Sequence, residues 1–190
     1  MINSLENKAV IFAGGCFWCV EHDLRKISGV VDVFSGYANN LTEQSKDSFV
    51  PTYENHAGYR EAVQVIYNPL QTSFKKLTQF FLDHIDPTDS GGQFHDRGES
   101  YKTAIYFGDE QEEITARELL EELDHSGIYT DPVVVDVLPK GGFYTAEEYH
   151  QNYGEKNPVQ YMMYRVGSGR ENFVNNVCQI RDQKKILWKE

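Results

Sequence analysis

The order of hydrophobic patterns in the first 107 residues is the feature that most limits how this chain can fold. The apolar run KAVIFAGG predicts a strand, and behind it Phe17, Val20, Leu24 and Ile27 recur at helical spacing. The β-branched segments VVDVFSGYA and REAVQVIYNP predict two more strands, residues 72–85 a second helix, and TAIYF a further strand. The order is therefore strand, helix, strand, strand, helix, strand.

This order is that of the split βαβ, or ferredoxin-like, arrangement. We therefore predict an α+β fold, a two-layer sandwich in which helices cover one face of an antiparallel sheet. A helix over residues 110–125 capped by Asp109, a strand PVVVDVL and a short helix near AEEYHQNY predict a C-terminal extension. In RVGSGRENF, the G-x-G predicts a turn rather than a dinucleotide fingerprint. We expect one domain spanning residues 1–190, because no repeat or low-complexity linker divides the chain.

Charge and composition exclude several kinds of partner. The formal net charge of −11 opposes nucleic acid and anionic membranes, and no apolar run approaches the length of a membrane span. The start MINSLENKAV lacks the features of a signal peptide, and three cysteines do not indicate a disulfide framework. We therefore expect a cytoplasmic protein in which the cysteines carry thiol chemistry or are simply buried.

The stretch GGCFWC places two cysteines where the first strand gives way to a helix. Helix N-terminal N–H groups and the helix dipole favour a thiolate, so Cys16 is a candidate nucleophile. Gly14 and Gly15 allow close approach to the backbone, which weakens the alternative that Cys16 is only a buried structural residue. A zinc site is disfavoured, because no second C-x-x-C or His pair supplies the remaining ligands.

GGCFWC followed by Glu21 resembles the active-site motif of the A-type peptide methionine sulfoxide reductases, which usually have glycine at the position of Cys19. Further landmarks of that family follow in order along nearly the whole chain: PTYE, GYREAVQVIYNP, DPTD, DRGESYKTAIYF, EEYHQNY and GSGR. The resemblance implies an oxidoreductase that repairs oxidised methionine, acts on the S epimer of the sulfoxide and needs no bound cofactor.

The resemblance also implies catalytic roles for four residues. Cys16 attacks the sulfoxide sulfur, Glu61 delivers a proton to the oxygen, and Tyr53 and Tyr101 donate hydrogen bonds to it. Glu61 begins an apolar strand, so burial should raise its pKa and keep it protonated. Without the family, Glu61 would be a surface glutamate at a strand end. The interval from Tyr53 to Glu61 is shorter than in many family members.

Binding roles follow from the same resemblance. Phe17 and Trp18 are expected to form the walls that receive the substrate methyl group, although both would otherwise be assigned to the core. Asp96 is expected to hold the substrate main chain, and its alternative is a turn residue beside Gly98. We leave His150 out of the catalytic set, because a lone histidine among aromatic residues is more often structural.

Two thiols compete to resolve the sulfenic acid that oxygen transfer leaves on Cys16. Cys19 lies three positions along the helix, at about 5 to 6 Å between Cβ atoms. Cys178 lies in the C-terminal tail, where Val174 and Val177 indicate an amphipathic turn that would bury it. Proximity favours Cys19, and the resemblance implies that thioredoxin or a similar dithiol then reduces the disulfide.

Two other functions remain open from the residues alone. A C-x-x-C motif between a strand and a helix is also typical of a general thiol-disulfide oxidoreductase. It would equally suit a redox-sensing domain in which the state of the cysteine pair controls a surface that binds a partner. Glu61, Tyr53 and Tyr101 discriminate between these alternatives, because disulfide exchange and sensing need no protonation of an oxygen. The sequence therefore favours reduction of methionine sulfoxide, free or in proteins.

Overall fold

The computed structural model describes residues 6–39, 50–184 and 188. Its strands, β1 to β8, are Lys8–Ala13, Val30–Ala38, Arg60–Tyr67, Gly92–Gln93, Asp96–Arg97, Ala104–Phe107, Asp136–Pro139 and Phe143–Thr145. Its α-helices, α1 to α6, are Phe17–Leu24, Phe74–Asp83, Glu110–Asp124, Tyr153–Lys156, Pro158–Gly167 and Arg170–Lys184. Short 3₁₀ turns occupy Glu99–Tyr101 and Glu148–His150. Residues 40–49, between β2 and β3, lie outside the described residues.

Six strands form one sheet in the order β7-β6-β1-β3-β2-β8, and β4 pairs with β5 in a separate hairpin. Every pairing in the large sheet is antiparallel except that of β6 with β7, which is parallel. Helix α3 connects these two strands and returns the chain to the same end of the sheet, as a parallel pair requires. The sheet is therefore mixed, and the prediction of an antiparallel sheet is wrong at this edge.

The helices α1, α2 and α3 pack on one face of the sheet. Alternation along β1 sends Val10 and Phe12 into this core and Ile11 and Ala13 to the opposite face. The Phe12 ring stacks on that of Phe81 in α2, with centroids 4.7 Å apart. This packing fixes the position of the β1–α1 junction, where GGCFWC lies.

Most element boundaries agree with the sequence pattern, and the differences have local causes. Helix α1 ends at Leu24, before the predicted Ile27, and Gly29 adopts φ +92° in the turn that follows. Helix α2 begins after Ser73, whose hydroxyl accepts from Lys76 N at 3.2 Å. Asp109 caps α3 as predicted, by accepting from the Glu112 N–H.

The C-terminal part of the chain is more helical than its sequence predicted. The predicted turn at GSG is confirmed, since Gly169 adopts φ +88° between α5 and α6. Glu21 of α1 ties the segment before these helices to the core, because its carboxylate accepts from Asn152 N at 2.9 and 3.0 Å. Arg165 of α5 also reaches α1, with Nη1 at 2.9 Å from Asp23 Oδ2. The C-terminal helices are thus held against the helix that carries both motif cysteines.

Candidate active site

A small cavity opens at the junction of β1 and α1. Its volume is about 70 Å³. Eight side chains line it: Cys16, Phe17, Trp18, Tyr53, Glu61, Asp96, Tyr101 and Tyr164. Seven of these belong to the site predicted from the sequence. The eight residues come together from four parts of the chain, residues 16–18, 53–61, 96–101 and 164.

The two glycines before Cys16 are required by the packing of the protein itself. Gly15 adopts φ +77°, and a Cβ there would lie 2.5 Å from Gln93 Cβ. A Cβ at Gly14 would lie 2.8 Å from Phe81 Cε2. Side chains of this chain, rather than a ligand, therefore occupy the space that the glycines leave open.

Cys16 is the N-cap residue of α1 and is 5% exposed. Burial raises the pKa of its thiol well above the ordinary value, and the neighbouring Cys19 and Glu61 raise it further. This direction is opposite to the one expected from the helix terminus, because burial removes the water that would stabilise the charge.

Cys19 is fully buried on the first turn of α1 and forms a side-chain hydrogen bond with Cys16. That hydrogen bond lowers the pKa of Cys19 to about 7 against the opposing effect of burial, and the charges of Arg170 and Arg165 assist it. The two thiols are therefore adjacent, and Cys19 is the more acidic of the pair.

Glu61 lies in β3, where its carboxyl group is almost completely buried. Burial raises its pKa to about 8, and the nearby charge of Asp96 adds to this effect. The Phe17 N–H donates to Glu61 Oε2 at 3.1 Å and opposes the rise only in part. Glu61 is thus mainly protonated at neutral pH, in the direction that the sequence predicted, and it holds a proton inside the cavity.

Two tyrosines predicted from the sequence reach the same cavity. Tyr101 ends a 3₁₀ turn, and burial and the charge of Glu61 raise its pKa, so its hydroxyl keeps its proton. Tyr53 lies in the short loop before β3 and is 44% exposed. Its backbone N–H donates to Glu147 Oε1 at 3.0 Å, which holds this loop over the cavity despite its reduced length.

The aromatic wall of the cavity is supported from behind by His150 and Tyr153, which do not line the cavity. Trp18 Nε1 donates to His150 Nδ1 at 3.1 Å, and its ring stacks on Tyr153 with centroids 3.8 Å apart. The Phe17 ring also contacts His150, at 5.0 Å between centroids. His150 therefore supports the predicted walls without lining the cavity itself.

Tyr164 of α5 is the cavity residue that the sequence did not reveal. Its hydroxyl donates a hydrogen bond to Asp96 Oδ2. The same hydroxyl is within hydrogen-bonding reach of the Cys16 thiol. Tyr164 carries no distinguishing motif, because it follows two methionines in a segment that could not be assigned from the sequence.

The second candidate for resolving the sulfenic acid lies in a different environment. Cys178 is on the exposed face of α6, although the predicted amphipathic helix does bury Val174 and Val177. The charged groups that act on Cys178 are Asp83, Asp182 and Arg181. None of these lines the cavity around Cys16.

Two further observations bear on what this site can bind. Within residues 6–39, 50–184 and 188, no cluster of three or more His, Cys, Asp or Glu side chains could hold a metal ion. Across the same part of the chain, no helix has both the length and the apolar character needed to cross a bilayer.

A cysteine pair beside a protonated carboxyl group and several hydroxyl donors defines a thiol-dependent reductase of an oxygen-bearing substrate. Comparisons with known proteins agree with this class. The family described as "Peptide methionine sulfoxide reductase" matches residues 8–182. The peptide methionine sulfoxide reductase MsrA of Bacillus licheniformis is 47% identical over 167 residues, which cover 86% of this chain and 89% of that protein.

Solved structures give the same result. Mxr1 from Saccharomyces cerevisiae in its reduced form matches with a TM-score of 0.72 and 33% identity, over 83% of this chain and 90% of that one. Mxr1 in complex with Trx2 matches with a TM-score of 0.54 and 25% identity, over 80% of this chain and 88% of that one. The chain belongs to the peptide methionine sulfoxide reductase family and is an oxidoreductase that reduces methionine sulfoxide.

Proposed function

We propose that Cys16 is the nucleophile that reduces the S epimer of methionine sulfoxide, whether free or in a protein. One observation carries this proposal: Cys16 and the protonated Glu61 line the same small cavity. In the first step, the Cys16 thiol and the sulfoxide give Cys16 sulfenic acid and methionine. The sulfoxide sulfur is reduced by two electrons, the cysteine sulfur is oxidised by two, and oxygen passes between them.

Activation of the sulfoxide oxygen is assigned to Glu61, Tyr53 and Tyr101. A sulfoxide sulfur is a weak electrophile, so its oxygen must be hydrogen-bonded and protonated as the S–O bond breaks. The raised pKa of Glu61 supports a role as proton donor at neutral pH. The two tyrosine hydroxyls supply further donors on the same cavity, in the manner of an oxyanion site.

Recognition of the substrate is assigned to Phe17, Trp18 and Asp96. A cavity of about 70 Å³ suits the methyl sulfoxide group rather than a whole amino acid. The two aromatic rings supply apolar walls for the methyl group. Asp96 lines the cavity and is only partly buried, so its carboxylate can accept from a substrate main-chain N–H.

Resolution is assigned to Cys19. Its thiol condenses with the Cys16 sulfenic acid, so that an S–S bond forms and water leaves. The hydrogen bond between the two cysteines and the lowered pKa of Cys19 support this assignment. A dithiol then reduces the disulfide by exchange and becomes a disulfide itself. The likeness to Mxr1 in complex with Trx2 supports thioredoxin as that dithiol.

The finer description of the fold is also part of the proposal. We infer that β6-β1-β3-β2 with α1 and α2 is a ferredoxin-like split βαβ core and that residues 1–190 form one domain. The antiparallel order of these four strands supports the first inference. The family match over residues 8–182 supports the second. A reducing compartment such as the cytoplasm suits three cysteines that are all free thiols.

The test offers the protein a mixture of both methionine sulfoxide epimers with dithiothreitol and follows each by chiral chromatography. Selective loss of the S epimer, with one methionine formed per sulfoxide consumed, is the expected result. The Cys16→Ser variant serves as the control and should consume neither epimer. Rapid turnover of a simple disulfide with no loss of either epimer would instead favour a general thiol-disulfide oxidoreductase.

A further inference from the structure

Tyr164 places one hydroxyl group near both the nucleophile Cys16 and the Asp96 carboxylate, which line the same cavity. The hydroxyl donates to Asp96 Oδ2 and also lies within hydrogen-bonding reach of the Cys16 thiol. A tyrosine hydroxyl has a single hydrogen. It can therefore donate to the Asp96 carboxylate or to the Cys16 sulfur, but not to both at once.

The position of Tyr164 is firmly held while its hydroxyl can rotate. The next residue, Arg165, forms a buried ion pair with Asp23 of α1 at 2.9 Å. The Tyr164 ring meets Trp18 edge-on, with centroids 5.9 Å apart. Helix α5 is thus locked to α1, so rotation about the C–O bond is enough to redirect the hydroxyl hydrogen.

The Cys16 thiol needs help to ionise. Burial raises the pKa of this thiol, and Cys19 on α1 and Glu61 on β3 raise it further. Tyr53, Tyr101, Asp96 and Tyr164 line the same cavity, and of these the Tyr164 hydroxyl lowers the pKa of Cys16. A donor aimed at the sulfur would stabilise the thiolate. Tyr164 is placed to supply that donor as soon as Asp96 releases it.

We propose that Tyr164 is a catalytic residue that turns its hydroxyl from Asp96 to Cys16 when substrate binds, and so stabilises the attacking thiolate. This inference rests on the proposed function, in which Asp96 accepts from the substrate main chain. That new hydrogen bond competes for the Asp96 carboxylate and frees the tyrosine hydroxyl. The Cys16 S–H bond breaks and the O–H bond of the sulfenic acid forms, so the proton is kept in the product and Cys19 takes no part in this step.

The first test measures the nucleophile without any sulfoxide. In a Cys19→Ser, Cys178→Ser background, Cys16 is the sole thiol, and its rate of alkylation by iodoacetamide at fixed pH reports the thiolate fraction. Tyr164→Phe should change alkylation little, because Asp96 holds the hydroxyl in the substrate-free protein, whereas mere loosening of the site would speed alkylation. Asp96→Asn should speed alkylation about 5 to 10-fold, because a neutral amide holds the Tyr164 hydroxyl less strongly.

The double variant Tyr164→Phe, Asp96→Asn separates this switch from a simple charge effect. The gain from Asp96→Asn should vanish once Tyr164 is Phe, since no hydroxyl remains to turn. Should the gain persist, the loss of the Asp96 charge accounts for it and the proposal is overturned. Tyr161→Phe is the matched control on the same helix, because it also removes a buried hydroxyl, one that contacts Arg165 at 2.9 Å. It should leave the alkylation rate unchanged.

The second test measures the reaction itself. In single-turnover experiments with otherwise wild-type cysteines, Tyr164→Phe should slow methionine formation by about 10 to 10²-fold, the usual worth of a hydrogen bond to a charged group. An unchanged rate would refute the role of Tyr164. Failure of the wild-type protein to form methionine would instead refute the proposed function, while the alkylation measurements would still stand as a test of the switch.

Discussion

Replacing Glu61 by Gln keeps the shape of the side chain and removes the proton that it carries into the cavity. The amide oxygen of Gln can still accept from the Phe17 N–H, which now lies 3.1 Å from Glu61 Oε2. We expect the first step to slow by about 10² to 10⁴-fold, the usual contribution of a general acid. Because the pKa of Glu61 is about 8, the ratio of wild-type to variant rate should fall as pH rises through that value.

The same substitution should change how stability depends on pH. Folding raises the pKa of Glu61 from 4.5 to about 8, so between these values the folded state holds a proton that the unfolded state has lost. The contribution of Glu61 to the free energy of unfolding is fully present below pH 4.5 and is lost as pH rises through about 8. At about 1.4 kcal/mol per pH unit, the loss reaches at most about 5 kcal/mol. Glu61→Gln should remove this pH dependence, so the variant should gain stability relative to the wild type at pH 9.

Two measurements check this reasoning together. Rapid-quench single turnovers give the first-step rate, and urea unfolding at pH 5 and pH 9 gives the stability of each protein. Glu112→Gln is the matched control, because Glu112 is half-buried with a raised pKa but stands at the start of α3, outside the cavity. It should leave the first step intact. A wild-type rate in Glu61→Gln would refute the acid role and leave Glu61 as a strand-end carboxylate.

Two further predictions concern the cysteine motif. Cys16→Ser should abolish methionine formation, because a serine hydroxyl is far less acidic than a thiol. Its circular dichroism spectrum should stay native, and turnover by the folded variant would contradict the assignment of Cys16 as the nucleophile. Gly15→Ala should lower the free energy of unfolding by about 1 to 3 kcal/mol, because its Cβ would lie 2.5 Å from Gln93 Cβ at a positive φ. Gly167→Ala, with nothing within 4 Å of the added Cβ, is its control in the same unfolding assay.

The parts of the fold that sequence reasoning obtained are those with a strong local signal. β2 and β3 show β-branched runs, and Asp109 and Ser73 are ordinary N-caps, so these elements begin and end close to where the pattern indicated. The parallel pairing of β7 could not be obtained in this way. The direction of β7 depends on the end of the sheet to which α3 returns the chain. A short apolar run in the sequence does not indicate whether the strand pairs in parallel or antiparallel.

In the candidate site, too, the residues with a strong local sequence signal could be predicted and the others could not. Residues within recognisable motifs could be predicted to lie together, and they line one cavity. Tyr164 could not, because it acts through a tertiary contact with Asp96 across a separation of 68 residues. The pKa of Cys16 was also inaccessible, because it depends on how completely the surrounding elements exclude water. Sequence reveals the helix terminus but not the depth at which it is buried.

The fate of the oxidised enzyme provides the last prediction. One equivalent of sulfoxide should produce a disulfide between Cys16 and Cys19, both in the wild type and in Cys178→Ser. Residues three apart on a helix have Cβ atoms about 5 to 6 Å apart, and a disulfide needs about 3.5 to 4.5 Å. Cys16 lies outside the regular helix as its N-cap, so the first turn can adjust to close this gap.

In Cys19→Ser, by contrast, the sulfenic acid on Cys16 should persist and be trapped by dimedone. Turnover with thioredoxin should fall in this variant alone, while a single burst of methionine remains because the first step does not need Cys19. A peptide map of the oxidised wild type that joins Cys16 to Cys178 would make the C-terminal thiol the resolving residue. If neither disulfide forms and an external thiol reduces the sulfenic acid directly, Cys19 is a packing residue in α1, and its lowered pKa has no part in turnover.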